Sequence, residues 1–353
     1  MTVADAPATG AERPGAGGVA ATNARRAVGL VTGAGVLAVV CVLSFALGTK
    51  HIALGTVWDA FVHFTGSEDH VIVRDLRVPR TVLGLLTGVA LGVSGALIQA
   101  VTRNPLADTQ VLGINSGAAL LVVFAIGVLG LTGIWSYVWF AFAGVAGAMV
   151  LVYALGSAGR GGATPVRLTL AGVALGAVME GISAAIRLLR PRAFDYLRFW
   201  DAGTLAARPL PIALAIAPFV ALGLVLALVV ARSLNSIALG DDFARSLGTD
   251  VTRTRVLTVI SVTLLAGAAT AAAGPIGFVG LMVPHAVRWI TGPDQRWILA
   301  YTVVGGPILM LVADILGRLV VRPGELRVGI VTAFVGAPVL IWMVRRRARA
   351  VGP

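Results

Sequence analysis

The feature that most constrains this chain is a series of nine predominantly apolar runs, each about twenty residues long, separated by short polar or arginine-bearing breaks. They fall near residues 25–48, 80–102, 110–131, 135–156, 167–189, 209–231, 254–274, 297–320 and 326–344. A hydrocarbon layer near 30 Å thick asks for about 20 apolar residues per crossing helix. A tenth segment, 279–290, lies between Gly274-Pro275 and Gly292-Pro293 and is too short to cross by itself. Segments of that length are tolerated at membrane depth only where protein or a water-filled cavity covers their ends. The expected fold is an all-α polytopic membrane protein of about ten helical segments, one of them a short half-helix.

Composition agrees, since 58% of the residues are hydrophobic and only 12% are charged, against roughly 25% charged in soluble domains. The single cysteine, Cys41, cannot close an intrachain disulfide. The net charge of +12 does not indicate nucleic acid, because the basic residues are scattered between apolar runs and form no single face. Only Lys50 is a lysine, flanked by Thr49 and His51, so no Gly-Lys-Ser/Thr phosphate loop exists. If the work is ATP-driven, ATP and Mg belong to another chain, and no cofactor is expected in this one. His51, His63, His70 and His285 show no metal-ligand spacing. No nucleophile, base and orienter come together in sequence, so no enzymatic chemistry is expected.

Residues 1–24 are rich in Ala, Gly and Pro and read as a disordered tail. Residues 25–345 read as one transmembrane domain and 346–353 as a basic tail. The first run, about 22 apolar residues, exceeds the 7–15 of a signal h-region and reads as an uncleaved span. Positive charge tends to stay on the cytoplasmic side. With an even number of crossings, Arg25-Arg26 and Arg345, Arg346, Arg347 and Arg349 share one side, expected to be the cytoplasm. The loops 157–167 and 232–253 fall on the same side. Sixteen of the 28 basic residues then lie inside and 12 outside. The outer set includes Arg74, Arg77, Arg80, Arg187, Arg190, Arg192, Arg198, Arg208, Arg318, Arg322 and Arg327. A basic outer rim suits an acidic partner or an anionic substrate, and arginines snorkelling at helix ends are the simpler alternative.

The run at 80–102 carries Gly84, Gly88 and Gly92 at four-residue spacing, then Ser94 and Gly95. Small residues so spaced let helices approach closely, which is how packing holds helices together in lipid. Ser94 reads as a packing residue. Arg103-Asn104-Pro105-Leu106-Ala107-Asp108 follows, where Asn104-Pro105 ends the helix, and Asn115 and Ser116 stand at the mouth of the next run. The stretch Ser94-Gly95-Ala96-Leu97-Ile98-Gln99 leading into Arg103-Asn104-Pro105-Leu106-Ala107 resembles the signature of the FecCD-type permeases, the membrane subunits of ABC importers for iron-siderophores, haem and cobalamin. Further matching stretches follow in order: Arg77-Val78-Pro79-Arg80, Leu239-Gly240-Asp241-Asp242, Gly274-Pro275-Ile276-Gly277, Ala313-Asp314 with Arg318, and Glu325 with Val328-Gly329. Where the family usually has proline, Arg327 stands here, which is expected to loosen the turn before the last span.

The resemblance implies a cobalamin-importer-permease-like fold in the cell membrane, inner or cytoplasmic, multi-pass with both termini cytoplasmic. It implies as partners a second permease, identical or sister chain, two cytoplasmic ATPase subunits and an extracytoplasmic substrate-binding protein, with no nucleic acid. It implies that Arg77, Arg80 and Arg318 dock the binding protein's acidic residues, the planar guanidinium gripping carboxylates bidentately. It implies that Gly240, Asp241, Asp242, Phe243, Ala244, Arg245, Leu247 and Gly248 form the helix that couples to the ATPase, with Phe243, Ala244 and Leu247 on one face. Spacing adds an expected pair between Asp241 and Arg245. Glu180 and Asp314 are acids inside apolar runs, which by default suggest an ion or substrate route. A proton-coupled transporter is the rival reading, although Asp314 stands one turn from Arg318, and Glu180 lies in the span that lines the pathway in the family. The expected function is the permease of a ferric-siderophore importer, with cobalamin or haem as alternative cargo.

Overall fold

In the computed structural model the described residues are 22–110, 112–158, 165–190, 194, 197 and 200–350. Residues 1–21 of the expected tail lie outside them, as do Arg192 and Arg198. The described residues are helical with short connections: α1 Asn23–Ala46, α2 Leu54–Val62, α3 Glu68–Val71, a π-helical turn Ile72–Arg77, α4 Val78–Val101, α5 Ile114–Gly127, α6 Ile134–Ser157 and α7 Pro165–Leu189. They continue as α8 Leu210–Ala238, α9 Asp241–Ser246, α10 Val251–Ala273, α11 Val279–Thr291, α12 Gln295–Val320 and α13 Val328–Ala350. Seven of these are long and apolar enough to cross a membrane, and α5 and the apolar part of α13 are shorter. All ten expected segments are present as helices.

Local chemistry sets several boundaries. The Thr22, Ser67, Asp250 and Asp294 side chains accept backbone N–H groups in the first turns of α1, α3, α10 and α12, satisfying donors that a helix leaves free. Gly274 and Gly292 end α10 and α11 at positive φ, a region that only glycine adopts readily.

α4 is the axis of the molecule and runs antiparallel to α12. Its glycine row meets that helix as the spacing predicts: a Cβ on Gly84 would stand 2.6 Å from Leu311, on Gly88 2.6 Å from the Pro307 backbone, and on Gly92 2.9 Å from Thr302. Gly95 continues the row onto α11, where its neighbour is Gly280. The Ser94 hydroxyl donates to Leu91 O at 3.0 Å and is wholly buried, a packing role.

At four places the structure corrects the sequence reading or adds to it. The run 110–131 is not a full span, since α5 has 14 residues and the chain at 102–110 and 112–113 turns back into the protein before it. The segment between the first two runs is also structured. α2 buries Val57 and Ala60, and the helix leading into α4 starts at Glu68, not near residue 80. α13 runs to Ala350 and takes in part of the expected basic tail. The turn before α13 is tied on both sides of Arg327, where Leu326 N–H donates to Gly317 O at 2.9 Å and Gly329 N–H to Gly203 O at 3.1 Å.

The helices create two ends. At one, the start of α1 meets the start of α12: Tyr301 Oη donates to Arg26 O at 2.6 Å, and Arg26 lies over the Trp297 ring. The last helix returns to this end, with Trp342 against Trp289. At the far end, the end of α1 meets the end of α12 through Arg318.

Candidate functional site

The far end is built on arginine. α1 stops without a glycine cap, which leaves its last carbonyls in need of donors. Arg77 donates to Phe45 O and Lys50 O, Arg318 to Ser44 O at 3.0 Å and Leu47 O at 2.9 Å, and Arg322 to Gly48 O at 2.9 Å. Three arginines, from the π-helical turn, from α12 and from the turn after α12, thus hold the strap 44–50 in place. Asp314 lies beneath, 2.8 Å from Arg80 and 3.1 Å from Arg318, and Arg80 also reaches Glu325 at 2.8 Å.

Arg77, Arg80 and Arg318 are therefore brought together as the sequence reading requires. Arg77 and Arg318 are only 5% and 2% exposed, and the terminal nitrogens of both donate within the chain, while Arg318 Nε is buried without a hydrogen-bond partner among the described residues. Nearby Lys50 bonds Asp69 at 2.7 Å, which holds its ammonium above the usual lysine range.

At the termini end stands α9, six residues between Gly240 at φ +119° and Gly248 at φ +79°. The expected common face is corrected: Ala244 is fully buried against the body, whereas Phe243 and Leu247 are exposed. The two adjacent carboxylates also part ways. Asp242 is wholly exposed and pairs with Arg245 at 3.0 Å, replacing the expected Asp241 to Arg245 pair. Asp241 turns inward to Arg103 at 2.7 Å and Arg255 at 2.8 Å.

Between the ends lies the feature that the sequence hid. Two non-helical turns, 102–110 with 112–113 and 274–278, meet inside the bundle, and the half-helices α5 and α11 start from them. Asn104 Oδ1 accepts Leu106 N–H and shapes the turn through Pro105. Buried Asp108 stands at the start of α11, where its Oδ1 lies 2.7 Å from the place a Cβ on Gly280 would take. Asn115 Nδ2 donates to Ile276 O at 3.3 Å. Gln99 Nε2 donates to Gly280 O at 2.9 Å while its Oε1 accepts from Arg288, tying α11 to α4. Non-helical backbone at this depth is tolerated because protein covers it. A cavity of about 300 Å³ adjoins the pair of turns, lined by Gln110, Asp201, Pro275, Phe278, Ile330 and Phe334.

Glu180, Arg187 and Asp201 form the remaining charged group. Arg187 bonds Glu180 at 2.6 Å and also Asp201 at the cavity wall. Glu180 keeps 57% of its side chain exposed on a helix that this chain alone buries poorly. Arg190 is exposed at the end of α7. Both acids of the apolar runs, Glu180 and Asp314, are thus ion-paired, which removes the observation that favoured proton coupling. Among the described residues, no three His, Cys, Asp or Glu side chains gather as a metal site.

Replacing Gln99 by leucine is expected to lower detergent-phase stability by roughly 2–4 kcal/mol, since it strips Arg288 of this acceptor in a buried site. Thermal unfolding of the solubilised chain measures this.

Residues 36–346 match the profile of the FecCD transport family. The chain is 47% identical over 94% of its length, and 98% of the relative's, to the ferric enterobactin transport system permease protein FepD of Escherichia coli K12. It is 37% identical, over 83% of its length and 88% of the relative's, to the probable siderophore transport system permease protein YfiZ of Bacillus subtilis. Among solved structures, a metal-chelate type ABC transporter in an inward-facing conformation superimposes with a TM-score of 0.76 at 24% identity, covering 91% of this chain and 99% of that one. That likeness concerns the fold.

Proposed function

The chain belongs to the FecCD transport family, and from that premise we propose that it is the membrane permease of an ATP-driven importer of ferric siderophores. The observation that carries the cargo is the 47% identity to a ferric enterobactin permease across nearly both full lengths. The architecture supports it. Two broken helices beside a cavity give a place where packing changes without a whole span unfolding. The apolar flank of α7 around Glu180 is where a second permease, identical or sister, closes the pathway, since an acid facing lipid would be costly.

In this reading the termini end is cytoplasmic and meets two ATPase subunits, which hold ATP and Mg. The exposed Asp242, Phe243 and Leu247 of α9 form the contact. An extracytoplasmic binding protein docks on the far end. Arg77, Arg80 and Arg318 serve that docking by fixing the rim: they hold the strap 44–50 and the Glu325 turn in the shape the partner meets. Iron crosses inside its chelate. No group in this chain acts on it chemically.

The test is uptake of iron-55 delivered as catecholate, hydroxamate or citrate chelate after deletion of the gene. Loss of at least tenfold with one siderophore class, restored by the gene in trans, is expected. Unchanged uptake of all three would overturn the siderophore reading.

A further inference from the structure

α9 is joined to the body of the protein by few groups. Glycines in left-handed or otherwise glycine-specific conformations flank it, and a Cβ at either would meet open space, so no side chain braces either end. One small side chain, Ala244, is buried beneath it. The charged tie is Asp241, whose Oδ1 accepts from Arg103 Nη2 at 2.7 Å and whose Oδ2 accepts from Arg255 Nη2 at 2.8 Å. Arg103 begins the turn that leaves α4, and Arg255 lies one turn inside α10. The carboxylate therefore bridges α9 to the two inner helices at once.

We propose that Asp241 is a positioning residue that clamps the hinge-bounded α9 to Arg103 and Arg255, so that a push on α9 reaches α4 and α10 instead of being absorbed at Gly240 and Gly248. This rests on the reading of α9 as the ATPase contact. The same turn that carries Arg103 at its start carries Asp108 five residues later, and Asp108 stands against Gly280 at the start of α11. A displacement passed to Arg103 thus arrives at the meeting point of the two half-helices. Within α9 the neighbouring acids divide the labour: Asp242 faces out to a partner and Asp241 faces in to the frame. Ion pairs this exposed contribute little to folding, so loss of the clamp leaves a folded chain with a loose connection.

The experiment uses the complete transporter in proteoliposomes, with its ATPase and binding protein, and reads three quantities: ATPase retained on purification, ATP hydrolysis, and chelate taken up per ATP. Asp241→Ala is expected to keep the ATPase bound and hydrolysing while uptake per ATP falls at least tenfold. Arg103→Ala and Arg255→Ala are expected to do the same to a lesser degree. The Asp241→Ala/Arg103→Ala pair is expected to be no worse than Asp241→Ala, the sign of one shared interaction, and Arg103→Lys to restore part of the coupling. An unchanged ratio in Asp241→Ala, strictly additive losses, or loss of the ATPase from Asp241→Ala would overturn the clamp. Leu247→Asp separates the underlying reading: it is expected to release the ATPase, and if it does not, α9 is not the contact and that reading fails first.

Discussion

Arg318→Glu is expected to remove most of the protein from the membrane, and to lower the unfolding temperature of what remains, before any effect on docking can be read. Arg318 is 2% exposed and supplies donors to Ser44 O, Leu47 O and the Ser44 hydroxyl, besides its ion pair with Asp314. Glutamate in its place accepts where the strap needs donors and sets a second carboxylate against Asp314. Breaking a buried pair by removing one partner costs roughly 3–5 kcal/mol, a large share of a membrane domain's margin. Arg80 would remain, already committed to both Asp314 and Glu325. Glu325→Gln is the comparison, because its carboxylate is a third exposed and its loss leaves Asp314 paired. That variant is expected to keep normal abundance. Immunoblots of membranes and thermal unfolding in detergent decide the matter. If Arg318→Glu is as abundant and as stable as the parent yet fails to bind its extracytoplasmic partner, the arginine serves docking directly and not through the rim.

Much of this architecture was legible because lipid imposes a length on helices and a rule on backbone. The ten segments followed from run length, and the half-helix α11 from its Gly-Pro brackets. The row Gly84, Gly88 and Gly92 announced a close approach, and α12 supplies it. What could not be read was the partner of each group across the chain. Asp241 stood four residues before Arg245, a spacing that suggested a local pair, yet it bonds Arg103, 138 positions away in sequence. α5 looked like a full span because the turn before it carries few charges, and a turn buried by protein needs no polar surface. α2 is too short to register as a span, although Leu54, Val57, Trp58 and Phe61 follow a helical spacing. Arg77, Arg80 and Arg318 were grouped through the resemblance, and the structure brings them to one end. Their burial was invisible, because a guanidinium that satisfies main-chain carbonyls looks in sequence like one waiting for a carboxylate.

Among the glycines inside helices the closest approach is that between Gly95 and Gly280, and Gly95→Ala is expected to abolish transport. A Cβ on Gly95 would lie 2.1 Å from Gly280 O and 2.3 Å from Gly280 Cα. Both neighbours are backbone, so no side chain can rotate away and the helices themselves must part. Overpacking of an ordinary core costs about 1–3 kcal/mol because side chains yield, and a rigid backbone contact belongs at or above the top of that range. The displacement falls where α11 starts, on the carbonyl that Gln99 holds and beside the buried Asp108. The turn 274–278 would be pushed from its partner, and with it the wall of the cavity. Gly147→Ala supplies the control: Gly147 lies inside α6 with nothing within 4 Å of the added atom. There alanine is expected to be neutral or to stabilise by roughly 0.5–1 kcal/mol, since it relieves the entropy that glycine loses in a helix. Uptake assays and detergent melting of the two variants together separate the close approach from glycine content as such, and equal behaviour of the two would show that α4 and α11 do not need their present separation.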